Sequence, residues 1–259
     1  MRDILGLTVL LGLILVLTGC GGGGGATNTA IMVGPWSGTY SLSGSTTQVS
    51  MGAISSEDDG YFADNKGNVY VLSSLPGTSP FTATLVGIAP PGQSFANGQP
   101  TVAFGVSGSY GTAVAGGFNM QATFTENDGQ GSLSGSFNLN SATPFSGTPN
   151  LSSLQGQWSG YYLGSANTSI DLNFGPDGAF AGNDGYGCVI NGNLTTDAPN
   201  TNLYDVTFQS SGENCQGTLD GLAYESSTDV SGAFGGDSGT YLYIAVFTQT
   251  SAFLIEIRS

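Results

Sequence analysis

Gly156-Gln157-Trp158-Ser159-Gly160-Tyr161-Tyr162 echoes Gly34-Pro35-Trp36-Ser37-Gly38-Thr39-Tyr40, and the two stretches hold both tryptophans of the 259-residue chain. The shared pattern is Gly-x-Trp-Ser-Gly-x-Tyr. Its repeat distance is that of a domain, not of a solenoid unit. A second echo follows each tryptophan, Asp59-Gly60-Tyr61-Phe62-Ala63 and then Asp177-Gly178-Ala179-Phe180-Ala181. The chain therefore reads as two related halves.

Outward from these motifs, apolar and polar residues alternate in short runs between glycine-rich or Asn/Asp turns, and no helical period appears. Ile170, Leu172 and Phe174 share one face with Asp171 and Asn173 on the other. Tyr204, Val206 and Phe208 oppose Asp205 and Thr207, and Phe253, Ile255 and Ile257 oppose Leu254, Glu256 and Arg258. Such segments centre on Trp158, Ile170, Phe180, Val189, Val206, Leu222, Ile244 and Ile255. In the first half they centre on Tyr40, Val49, Phe62, Val71, Leu85, Val102, Phe118 and Leu133. The expectation is an all-β protein with two tandem antiparallel up-and-down β-barrel-like domains, because closing about eight strands removes exposed edges. Two β-sandwiches are the alternative. The domains are placed at 34–140 and 154–259, with a Ser/Thr/Pro-rich linker at 141–153. Tyr241, Tyr243 and Phe247 oppose Leu242, Ile244 and Val246, so that strand is apolar on both faces. Either it is buried on both sides, in the core and at the contact between halves, which is the favoured reading, or it contributes a face to a cavity or a partner.

The N-terminus is of another kind. Met1-Arg2-Asp3 precedes an apolar or small run from Ile4 to Leu17, too short for a bilayer span of roughly 20 residues. A basic residue, a short apolar run and small residues form the pattern of a secretory signal peptide, here with its basic region weakened by Asp3. Leu17-Thr18-Gly19-Cys20 resembles the lipobox of bacterial lipoproteins. That resemblance implies cleavage after residue 19 (signal peptide 1–19), lipidation of Cys20, and a flexible tether over 20–33. Gly21, where an aspartate would hold such a protein at the inner membrane, implies the outer membrane. Beyond Cys20 the cysteines are an even pair, Cys188 and Cys215, expected to be disulfide-bonded in an oxidising envelope compartment.

A second resemblance concerns the barrels. Gly-x-Trp on the first strand, about eight strands, and an arginine on the last strand are similar to the calycin superfamily of lipocalins and avidins. The resemblance implies that Trp36 and Trp158 close one end of each barrel, with Arg258 stacked beside Trp158. A stack of that kind contributes roughly 0.5–2 kcal/mol. The first half offers Trp36 no such arginine.

Composition excludes much chemistry. The net charge is −15 with no histidine, which removes imidazole catalysis and histidine-ligated zinc. After the signal the only cations are Lys66 and Arg258, so nucleic acid is not expected as a partner. Lys66 lies in Asp64-Asn65-Lys66-Gly67-Asn68, a hairpin-turn sequence. Glu57-Asp58-Asp59 is the densest acidic cluster, but it precedes Gly60 as a turn does and gives only a weak glycosidase reading. Glu126-Asn127-Asp128-Gly129 and Asn183-Asp184-Gly185 are rich in oxygen ligands without forming a full alternating calcium loop. No catalytic residue, cofactor or metal is assigned.

The expected function is a membrane-anchored envelope lipoprotein with a non-enzymatic binding or interaction role, its partner a small apolar ligand or another envelope protein. A calycin-like small-ligand carrier is the first alternative, and a carboxylate glycosidase the second.

Overall fold

The computed structural model describes residues 33–73, 75, 78–112, 117–126, 133–141, 149–164, 168–197, 199, 201–227, 229 and 234–259. Cys20, the signal, all of the tether except Val33 and part of the linker lie outside the described residues.

The first half contains β1 (Gly34–Leu42), β2 (Ser45–Ile54), β3 (Gly60–Asp64), β4 (Val69–Ser73), β5 (Phe81–Ile88), β6 (Thr101–Thr112), β7 (Phe118–Glu126) and β8 (Ser134–Ser141). Each strand pairs antiparallel with the next, and β8 returns to β1 with Tyr40 opposite Phe137. The second half contains β9 (Gly156–Leu163), β10 (Ser169–Phe174), β11 (Ala179–Asp184), β12 (Val189–Thr196), β13 (Leu203–Ser211), β14 (Gly217–Ser226), β15 (Tyr241–Phe247) and β16 (Ala252–Arg258). There β16 closes on β9, with Ile255 opposite Tyr162. Both sheets are closed eight-stranded barrels, not sandwiches, an architecture consistent with the calycin resemblance.

Strand alternation decides which side chains enter. Ile170, Leu172 and Phe174 of β10 are buried while Ser169, Asp171 and Asn173 are exposed. A small barrel must fill its interior with side chains, and it does so by setting large residues against small ones. Phe180 lies across from Gly192 on the neighbouring strand, and a Cβ on that glycine would sit 2.1 Å from the ring. Phe124 lies likewise across from Gly135, where a Cβ would sit 2.4 Å from its ring. Aromatic side chains thus occupy the space these glycines leave.

A third apolar core lies between the barrels. The outward faces of β2 to β5 contribute Ala53, Ala63, Val69 and Ile88, and barrel two contributes Leu222, Tyr224, Tyr241, Tyr243 and Leu254 among others. This explains β15. Leu242, Ile244 and Val246 point into barrel two, whereas Tyr241 and Tyr243 point at barrel one. Polar links border the seam. Ser56 donates from its amide and its hydroxyl to Asp197 at 3.0–3.1 Å, and the Ala252 amide reaches the Ala89 carbonyl at 3.3 Å. Gly67 and Gly164 let two turns touch, since a Cβ on Gly164 would lie 1.8 Å from the Lys66 carbonyl oxygen.

One end of barrel two is closed by a short 3-10 helix, Leu151–Leu154, capped by Asn150. Trp158 is buried above it and donates its indole N–H to the Leu154 carbonyl at 2.7 Å, its ring edge-on to Phe174. Trp36 is buried in the core of barrel one. The expected stack of Arg258 on Trp158 is not what the structure shows. Ile257 takes the inward position, so Arg258 points outward, 4.7 Å over the Phe234 ring and 3.0 Å from Asp237.

Candidate functional site

The end of barrel two opposite Trp158 is built around a pair of residues that barrel one repeats. The Tyr162 hydroxyl, on β9, donates to Asp184 at the end of β11 at 2.9 Å. Asp184 also accepts the amides of Tyr186 and Cys188 at 3.0 and 2.9 Å, pinning the turn into β12. In barrel one, the Tyr40 hydroxyl donates to Asp64, which accepts the amides of Lys66 and Asn68 at 2.8 and 3.0 Å. An aspartate that holds its own turn is a common device. Here it also fixes a tyrosine at the rim. Burial and, after it, the adjacent aspartate push both phenols above their ordinary range, so both stay protonated donors.

The two mouths then diverge. In barrel one the long connection between β5 and β6 folds over the opening, and Phe95 enters it, buried, with its ring 6.2 Å from that of Tyr70. Below it the barrel is full, with an internal void of only about 10 Å³ beside Tyr40, Phe62 and Phe137. A polar hollow of about 270 Å³ remains at the rim, where Lys66 sits with Tyr40 and Phe95.

In barrel two the corresponding connection, between β13 and β14, is only residues 212–216. Cys188 and Cys215 are disulfide-bonded, with an S–S distance of 2.03 Å, which ties this connection to the β11–β12 turn. Among the described residues nothing equivalent to Phe95 enters. The result is a cup of about 370 Å³ lined by Tyr162, Tyr186, Phe208 and Phe253, with Asp184 and Glu213 at its edge. Tyr162 lies 5.8 Å from Tyr186 and 5.3 Å from Phe253 between ring centres, the planes tilted in both pairs. Barrel one borders the cup through Pro91, and its Gln93 side chain donates to the Gly164 carbonyl at 3.2 Å.

The acidic stretches are placed elsewhere or already engaged. Glu57, Asp58 and Asp59 form the β2–β3 turn at the seam, with Asp58 at φ 64°. Burial first, then Asp59, raises the pKa of the Asp58 carboxyl. The Glu126 carboxylate accepts from Asn97 at 2.6 Å and from the Leu133 amide at 3.1 Å, holding local structure, and 127–132 lie outside the described residues. Among the described residues there is no group of three or more Asp, Glu or Cys able to hold a metal.

Sequence reasoning missed the Tyr–Asp pairs and Phe95. The pairs carry a signal, an Asp-x-x-Gly turn in each half at a similar distance after the tyrosine. Phe95 carries a weaker one, a single aromatic between Pro90-Pro91 and Pro100.

Comparison with known proteins found no match: no protein-family model, no curated protein and no solved structure matches the chain.

Proposed function

We propose that the protein is a lipid-tethered binding protein of the bacterial cell envelope, placed at the outer membrane, with the cup of the second barrel as its binding site and no catalytic role. The lipobox-like Leu17-Thr18-Gly19-Cys20 supports the tether. The observation that carries the binding reading is the contrast between the mouths. Barrel one fills its opening with its own Phe95, while barrel two keeps an aromatic-lined opening of about 370 Å³. That volume lies within the range of small-ligand sites, roughly 300–1,000 Å³. Phe95 supports this reading, because it seats an apolar ring in the mouth of barrel one, where Tyr40 is fixed by Asp64.

The test uses the neutral fluorescent probe N-phenyl-1-naphthylamine with residues 21–259, which retain both barrels. Saturable binding is expected, weakened about tenfold by Phe253→Ala through lost apolar contact and abolished by Ser210→Trp, which fills the cup. No saturable binding, or binding indifferent to both substitutions, would overturn the site.

A further inference from the structure

We infer that the cup of the second barrel takes a small organic cation with an apolar body, an arylalkyl ammonium being the simplest example. The inference rests on the binding reading above. It comes from what barrel one supplies to its own mouth and barrel two does not.

The two turns are built alike around Asp64 and Asp184, so their residues correspond. Lys66 donates its amide to Asp64, and Tyr186 donates its amide to Asp184. Lys66 is thus the counterpart of Tyr186. Barrel one therefore brings two residues of its own to the hollow that Tyr40 lines, Phe95 and the exposed Lys66. Barrel two brings neither. It carries a tyrosine in the lysine's place, a short bridged connection where Phe95 would come from, and a second carboxylate, Glu213, at the edge.

No cation lines this cup, and Arg258 is turned away on the outer face beside Phe234. The faces of tilted aromatic rings attract a cation through their quadrupoles, and more strongly as it is desolvated. Carboxylates at the rim add attraction and repel anions. A ligand carrying a ring and an ammonium would supply together the chemistry of Phe95 and Lys66, the two residues that line the rim hollow of barrel one.

The experiment is calorimetric titration of residues 21–259 with 4-phenylbutylammonium, its neutral counterpart 4-phenylbutanol and its anionic counterpart 4-phenylbutyrate. The amine is expected to bind about tenfold more tightly than the alcohol, and the carboxylate not measurably. Glu213→Gln should cut the preference for the amine severalfold and leave the alcohol's affinity in place. Tyr186→Lys, which installs barrel one's cation at an exposed position, should remove amine binding and spare the alcohol. Equal binding of amine and alcohol would overturn the cation assignment and leave the binding site standing. If neither binds while N-phenyl-1-naphthylamine does, the cation assignment again falls alone. If that probe fails as well, both readings fall.

Discussion

Tyr243 and Glu256 face each other on neighbouring strands of barrel two, and the tyrosine hydroxyl donates to the carboxylate at 2.5 Å with both residues wholly buried. Neither points into the barrel. Both lie on its outer face, which barrel one covers, and Tyr224 stacks on Tyr243 at 5.2 Å. A carboxylate enclosed in an apolar seam depends on its donors, because it has lost the water that would otherwise solvate it. Tyr243→Phe should therefore destabilise the chain by about 1–3 kcal/mol, the cost of depriving a buried hydrogen-bonding group of a partner. Urea denaturation followed by fluorescence would show it as a lower midpoint. An unchanged midpoint would mean that the pair contributes nothing to joining the barrels.

The acidic residues along and near the seam set a pH dependence. Burial pushes the carboxyls of Asp197, Asp205 and Glu225 above the usual range. The neighbouring charge of Glu57 adds to this at Asp197 and Asp205, although the hydrogen bonds from Ser56 pull Asp197 back in part. A carboxyl whose pKa is higher folded than unfolded makes the folded state bind more protons, so stability falls as pH rises through the interval between the two values. Above that interval the penalty is complete, and below the ordinary carboxylate value of about 4 it is gone. Melting temperature at constant ionic strength is thus expected to be higher at pH 4 than at pH 7.5, with Asp205→Asn narrowing the difference. A melting temperature that rises from pH 4 to pH 7.5 would contradict this account.

Much of this architecture is written in local pattern. The alternation of Ile170, Leu172 and Phe174 with Asp171 and Asn173 is enough to orient β10, and the double apolar face of Tyr241 to Phe247 is enough to bury β15 on both sides. Alternation fails where a second layer covers an outward face. Glu256 reads as solvent-facing because it opposes Ile255 and Ile257, and only the docking of barrel one encloses it. The same alternation puts Arg258 outside once Ile257 is inside, and a stack implied by family resemblance does not override that geometry. The cup was hidden for a different reason. It is defined by a contrast between two loops, residues 89–100 with their inserted Phe95 and residues 212–216 with a disulfide, and neither loop has a periodicity to read.

The Cys188–Cys215 bridge is expected to serve both stability and the cup. It spans a sequence separation of 27 and closes a loop that includes β12 and β13. In the chain-entropy model a loop of that size contributes ~3.6 kcal/mol by restricting the unfolded chain. The Cys188→Ser/Cys215→Ser double variant should lower the urea midpoint accordingly. It should also weaken N-phenyl-1-naphthylamine, because the 212–216 connection that forms part of the rim would no longer be held against the β11–β12 turn. Weaker folding with unchanged probe affinity would assign the bridge to stability alone.

The tether makes the remaining prediction. Val33, the first described residue, is buried in the seam between the barrels. Each buried methylene of an attached lipid contributes about 0.8 kcal/mol, so two or more acyl chains hold a protein stably where one does not. In cells fed labelled palmitate, the wild-type chain is expected to carry label and Cys20→Ser to carry none. Cys188 and Cys215, joined to each other, offer no other thiol for thioether attachment of lipid. Label retained in Cys20→Ser, or absent from wild type, would remove the anchor from the proposed function without touching the cup.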